Sequence, residues 1–218
     1  MPVKLAAKPA DFDAKVRFPG LRAISEMVGQ IPKYPRKAGR AHAKIARSKK
    51  QIPAEKFPAY WTDALDDLMN AYSQICAYSG FRIHRVTGAR SADHMVAKSR
   101  SWRQVYEWDN YRLACGRLNS RKLDFEDVID PFDVKLGWFW LNLVTFEIEP
   151  ASGLDKATTK QISDTIARLG LNDFKQDREE YAEDYLCREI SLRILKKESP
   201  YIAYELFRQK KLNLGDVY

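Results

Sequence analysis

The chain has 218 residues, 45% hydrophobic and 30% charged, with a formal net charge of +8. That balance describes a globular protein able to bury a sizeable core and excludes disordered and fibrous classes. No run approaches the eighteen apolar residues of a membrane span, and the opening MPVKLAAKPADFDAKV lacks a signal peptide's apolar centre.

Residues 1–58 read as a basic arm, with 14 Lys/Arg against 4 Asp/Glu and with Pro9, Pro19, Pro32, Pro35, Pro53 and Pro58 interrupting any long element. A short helix is expected at 21–29, where Leu21, Ile24 and Val28 share a face. Residues 33–50 (KYPRKAGRAHAKIARSKK) carry eight basic residues and no acid. Such a block suits an extended nucleic-acid clamp, with Lys37, Arg40, Lys44, Arg47, Lys49 and Lys50 as contacts and His42 solvated. A solubilising tail is the alternative.

Residues 59–135 are expected to form a core unit. Tyr60, Trp61, Leu65, Leu68, Met69, Tyr72 and Ile75 recur at helical spacing, with Thr62 as N-cap and Asp63, Asp66 and Asp67 suiting the first turns. A hairpin is expected next, 81–86 against 89–95 around Thr87-Gly88, with His84 on its surface. A basic and aromatic loop runs from 96 to 109. Core positions are expected for Trp102, Tyr106 and Trp108, base stacking being the alternative. Residues 111–114 read as a strand and 118–122 as the start of a helix.

Residues 136–218 begin with WFWLNLVTFEI (138–148), read as one or two buried strands. Helices are expected at 156–169, closed by Gly170, from 173 to about 197, and from Ser199-Pro200 to 210. Cys187 is expected to be buried in the second. This region is acidic overall, 12 Lys/Arg against 14 Asp/Glu, which suits a protein partner or a second copy better than DNA. Three cysteines (Cys76, Cys115, Cys187) make neither an even set nor a CxxC pair, so a reduced, cytoplasmic protein is expected.

The chemistry gathers around Asp93-His94, with Asn110, Asn119 and Lys122 downstream. A strand–loop–strand–helix unit would place Asp93 and Asn119 as oxygen ligands of one divalent cation, Mg²⁺ or Mn²⁺, beside His94. His94 would accept a proton from the attacking water. Asn110 would clamp the loop, and Lys122 would meet a phosphate oxygen. Arg100, Arg103, Arg112, Arg117 and Arg121 lie near enough in sequence to contact the cleaved strand.

The residues SADHMVAKS, YEWDNYRLAC and LNSRK resemble the ββα-metal core of HNH endonucleases, in the variant ending in asparagine. The resemblance implies an α+β fold with Asp93 and Asn119 as metal ligands, His94 as general base, Asn110 as loop stabiliser, and Lys122 at a position where a lysine is frequent. CAYSG, VYEWDN, Asp130-Pro131 and LGLN resemble HNH proteins of bacterial anti-phage systems, of Septu type or retron-associated, which act with an ATPase. Such relatives carry two CxxC pairs that bind zinc. Here Ser79 and Leu118 replace one cysteine of each, so no structural zinc is expected, with Leu118 and neighbouring aromatics packing instead.

These features imply a metal-dependent endonuclease hydrolysing DNA to 5′-phosphate and 3′-hydroxyl ends, with a partner ATPase or a homo-oligomer as possible assemblies and no membrane. Two alternatives stay open: a nucleic-acid-binding subunit with an inactive nuclease core, and a ribonuclease.

Overall fold

The structure, a computed structural model, describes residues 3–36 and 38–218. It is an α+β protein in which seven α-helices and two small antiparallel sheets occupy these residues. Among them no helix is long and apolar enough to cross a membrane.

The amino-terminal region is more ordered than its prolines suggest. A π-helical turn, Asp13–Arg17, runs directly into α1 (Phe18–Met27). Pro19 is the second residue of α1, directly after the π-helical turn. Phe12, Val16, Ile24 and Met27 are buried, and the Phe12 ring packs edge-on against Trp108 (5.5 Å) and Tyr111 (5.9 Å). This stretch therefore belongs to the same hydrophobic cluster as the central strands. The basic segment after it is extended but anchored. Glu26 holds Arg36 through two bonds and accepts from the His42 backbone N–H at 2.9 Å, while Ile45 N–H donates to Met27 O. His42 is half-buried, with Nε2 shielded and unpartnered, rather than solvated. Lys37 lies outside the described residues.

The expected helix over 60–75 is shorter and compound: a 3-10 segment, Tyr60–Ala64, followed by α2 (Leu65–Ala71). Ser73 and Gln74 take positive φ and end it. Thr62 is no cap; its hydroxyl donates to Ala59 O. The expected 81–86/89–95 hairpin does not form. Arg82 bridges back to Ile75, its guanidinium is held by Gln74 and Glu198, and Ile83 N–H donates to Gln74 O. With residues 81–83 so occupied, β1 (Arg90–His94) finds its partner across a sixteen-residue loop, in β2 (Tyr111–Cys115). The pair is antiparallel, in register from Arg90 opposite Cys115 to His94 opposite Tyr111. Chain direction then turns into α3 (Gly116–Lys122), where Gly116 N–H donates to Ala89 O at 2.6 Å. Leu113, Ala114 and Leu118 are fully buried beneath this strand–strand–helix unit.

The aromatic stretch after it forms two three-residue strands, β3 (Phe139–Leu141) and β4 (Ile148–Pro150), joined by a turn in which Phe146 has φ 55. Then α4 (Lys156–Leu169) starts at Asp155, whose carboxylate accepts from Thr158 N–H, and closes on left-handed Gly170. The long helix expected from 173 to 197 is broken. It forms α5 (Lys175–Leu186) and α6 (Leu192–Glu198), separated where Arg188 takes φ 65 and Ser191 caps α6 through Ile194 N–H. Cys187 consequently sits in the exposed break, not in a buried helix. The last helix, α7 (Pro200–Arg208), packs against α6 and α5.

Candidate functional site: a cleft at the end of β1

The end of β1 and the exposed side of α3 form a cleft of about 620 Å³ that contains Ser91, Asp93, His94, Lys98 and Asn119. Strand pairing fixes Asp93 and His94, because the ladder runs through both and Met95 N–H closes onto Asn110 O at 2.9 Å. Asn119 arrives from the second turn of α3, which follows β2 without a linker.

His94 is enclosed on three sides. Its Nε2 lies 3.0 Å from Val105 O, and its ring meets Trp61 (4.8 Å) and Tyr111 (5.1 Å) edge to face. A carbonyl only accepts, so Nε2 carries the proton and Nδ1 keeps a lone pair. Burial lowers the imidazole pKa from 6.5 to about 4, against the smaller opposing pull of the Val105 carbonyl. The ring is thus neutral near pH 7 and able to accept a proton.

Asp93 is 2% exposed and held from two directions. The Tyr78 hydroxyl donates to Oδ2, and Lys122 Nζ stands 3.4 Å from Oδ1. Burial raises Asp93 above its ordinary pKa, with Lys122 and Tyr78 pulling the other way. Asn119 donates from Nδ2 to Ser91 Oγ, which leaves its carbonyl oxygen uncommitted. Among the described residues no group of three or more His, Cys, Asp or Glu is placed to hold a metal ion. The cleft instead offers two carboxylates, Asp93 and Asp124, one carboxamide oxygen from Asn119 and the His94 imidazole. Hard oxygen donors, with water and substrate phosphate completing the shell, suit the sparse protein ligation typical of Mg²⁺. Asp93 and Asn119 share the cleft, but both Asp93 oxygens are already engaged, by Tyr78 and Lys122.

Asn110 stands behind the cleft as a clamp. Its Oδ1 accepts from Val96 N–H at 2.7 Å, and its Nδ2 donates to Val96 O and Gln104 O, both at 3.0 Å. These bonds tie the two ends of the loop that carries Val105 toward His94.

Lys122 is not a phosphate contact. It is fully buried, donating to His94 O at 3.1 Å and Met95 O at 3.4 Å besides facing Asp93. Three residues after Asn119 it lies on the helix side facing β1, and its four-carbon stem carries Nζ beneath the strand. Arg121 is also committed elsewhere. Its guanidinium covers the last carbonyls of α4, at Leu169 O and Gly170 O, and pairs with Asp173 at 2.6 Å. Arg112 is buried on Phe132 and bonded to Asp130. Arg100, Arg103 and Arg117 remain at the surface, Arg100 beside Glu126, Arg103 over Trp102, and Arg117 over Phe174 beside Asp173. In the basic segment Arg40, Lys44, Arg47 and Lys50 are exposed, whereas Lys49 lies over Trp102.

Tyr106 and Trp108 are buried in the core, and Trp102 packs against it. Cys76 and Cys115 lie side by side, with Cys115 N–H donating to Cys76 Sγ at 3.4 Å. The Cys115 thiol, donating to Cys76, pulls the Cys76 pKa down to about 6 and is itself pushed up. Sequence reasoning missed Trp61, Tyr78, Ser91 and Lys98. Only Lys98 carried a usable signal, four residues after His94 in a basic loop.

No protein-family model matches this chain, and no curated protein does.

Proposed function

We propose that this chain is a divalent-metal-dependent endonuclease of the HNH type that hydrolyses DNA in the bacterial cytoplasm, in anti-phage defence. The observation that carries the reading is the meeting of Asp93, His94 and Asn119 in one cleft on a strand–strand–helix unit, with His94 held neutral by burial and in one tautomer by Val105. His94 Nδ1 accepts a proton from the attacking water. Asp93 and Asn119 would hold the cation, and the chemistry such an ion supplies when bound is neutralisation of charge on the phosphate and the leaving 3′ oxygen. The exposed cations Arg40, Lys44, Arg47 and Lys50 and the surface arginines Arg100, Arg103 and Arg117 draw in the polyanion. The resemblance to anti-phage HNH proteins supports an ATPase partner or self-association through the acidic helical region.

One observation favours a second reading. Both Asp93 oxygens are engaged, by Tyr78 and Lys122, which suits a nucleic-acid-binding subunit whose nuclease core does not cut. A supercoiled-plasmid assay with Mg²⁺ or Mn²⁺ separates the two. Nicking or linearisation by the wild type, abolished in His94→Ala, is expected. Retention of cleavage in that variant overturns the assignment of His94. No cleavage by the wild type, alone or with its partner, selects the binding subunit. RNA offered in parallel tests the substrate.

A further inference from the structure

Among the described residues, Lys98 is the only lysine or arginine lining the cleft that holds Asp93, His94 and Asn119. Its Nζ stands 4.4 Å from the centroid of the Trp61 ring, and among the described residues it forms no ion pair. That same indole meets the His94 ring edge to face at 4.8 Å and stacks on Tyr106 at 6.2 Å. Trp61 therefore packs on His94 and Tyr106 and also lies under the ammonium group. It ties the position of Lys98 to that of the imidazole. The lysine side chain is half-buried, and desolvation penalises its charged form. The Glu55 carboxylate opposes that penalty without overcoming it. Asp93 and Asp124 line the same cleft but stand beyond ion-pair distance, so a cation half out of water and resting on a ring gains from an anion that reaches it directly.

We propose that Lys98, docked on Trp61, is the residue that binds a backbone phosphate of nucleic acid inside the His94 cleft, with Trp61 as the positioning residue that sets its distance from the imidazole. This rests on the nuclease reading of the cleft, but its test does not need cleavage. Lys122, sealed beneath β1, leaves the role open, and Lys98 is the cation with access to it.

The experiment measures binding of fluorescein-labelled DNA by fluorescence anisotropy, using the full chain carrying His94→Ala, in EDTA, across a salt series. Each phosphate neutralised contributes roughly 0.7 to 0.9 to the slope of log Kobs against log[salt]. Lys98→Gln is expected to reduce the slope by about that amount, whereas Lys98→Arg, which keeps the charge, is expected to retain it. An unchanged slope and affinity in Lys98→Gln overturns the proposal, as does a failure of Lys98→Arg to retain the slope while its thermal melt matches the parent. Plasmid cleavage in the His94 background-free chain separates the two ideas. A chain that does not cleave but loses slope with Lys98→Gln keeps the phosphate contact and loses the nuclease reading. A chain that cleaves with Lys98→Gln at unchanged kcat/KM and slope keeps the nuclease reading and loses Lys98.

Discussion

Lys122 Nζ lies 3.1 Å from the carbonyl oxygen of His94 and 3.4 Å from Oδ1 of Asp93, so α3 is pinned beneath the last two residues of β1 by one fully buried ammonium group. Removing one member of a buried ion pair strands the other charge, at a cost of roughly 3–5 kcal/mol. Lys122→Met is expected to lower thermal stability by that order, with Lys122→Met/Asp93→Asn recovering part of it. Differential scanning calorimetry of the four proteins gives the coupling. A loss in Lys122→Met below ~1 kcal/mol would show that the pair is not desolvated in solution.

The Asn110 clamp makes three hydrogen bonds across the loop. Asn110→Ala deletes all three and leaves buried backbone groups unpaired, at about 1–3 kcal/mol for each one not rescued by water. Hydrogen exchange at Val96 is expected to accelerate at least tenfold, together with loss of the Val105–His94 alignment. Exchange at Val96 equal to that of the wild type counts against a clamp.

For His94 the sign of the pH effect follows from a folded pKa of about 4 against 6.5 in the unfolded chain. The unfolded state binds the proton first, so stability is complete above pH 6.5 and is lost as pH falls toward 4. At about 1.4 kcal/mol per pKa unit the loss is on the order of 3 kcal/mol. Asp93, raised by burial above 3.8, acts with the opposite sign near its own value. Urea melts in EDTA between pH 7 and 4 are expected to show a steeper decline in wild type than in His94→Gln. Parallel curves sink the assignment.

The basic segment is anchored through Glu26 and Met27, yet Arg40, Lys44, Arg47 and Lys50 remain exposed. Replacing the four with Gln is expected to flatten the salt dependence of DNA binding by up to about 3 to 4 in log–log slope, without shifting the melting temperature. A flattening of zero would make the segment a solubilising surface.

Gly20 lies on α1 where a Cβ would overlap the Tyr106 ring. Gly20→Ala should gain helix propensity, but overpacking against a buried tyrosine costs roughly 1–3 kcal/mol and wins. A rise in melting temperature would mean that α1 is not docked on the core.

Legibility in the sequence tracked how local each interaction is. The 156–169 helix was legible with its Gly170 stop because both lie within one local element. Strand β2 was readable from its apolar run, but its partner was not. The nearer candidate segment, 81–86, was occupied by Gln74 and by Glu198, more than a hundred residues away. The broken helix near 187 escaped because charged residues dominate α5 and no apolar stripe marks its end.

By itself the sequence determined the α+β class, the Gly170 stop of the 156–169 helix, and the order of Asp93, His94, Asn110 and Asn119 along a strand–loop–strand–helix stretch. Folding alone decided which cations stay free. Lys122 and Arg121 share the amphipathic signature of exposed residues, yet helix α3 presses one under β1 and the other against the end of α4. Lys98 is kept at the cleft by an indole thirty-seven residues earlier. A side chain's charge is written in its own codon, but its solvation is set by groups distant in the chain, and solvation determines whether the charge can meet a ligand.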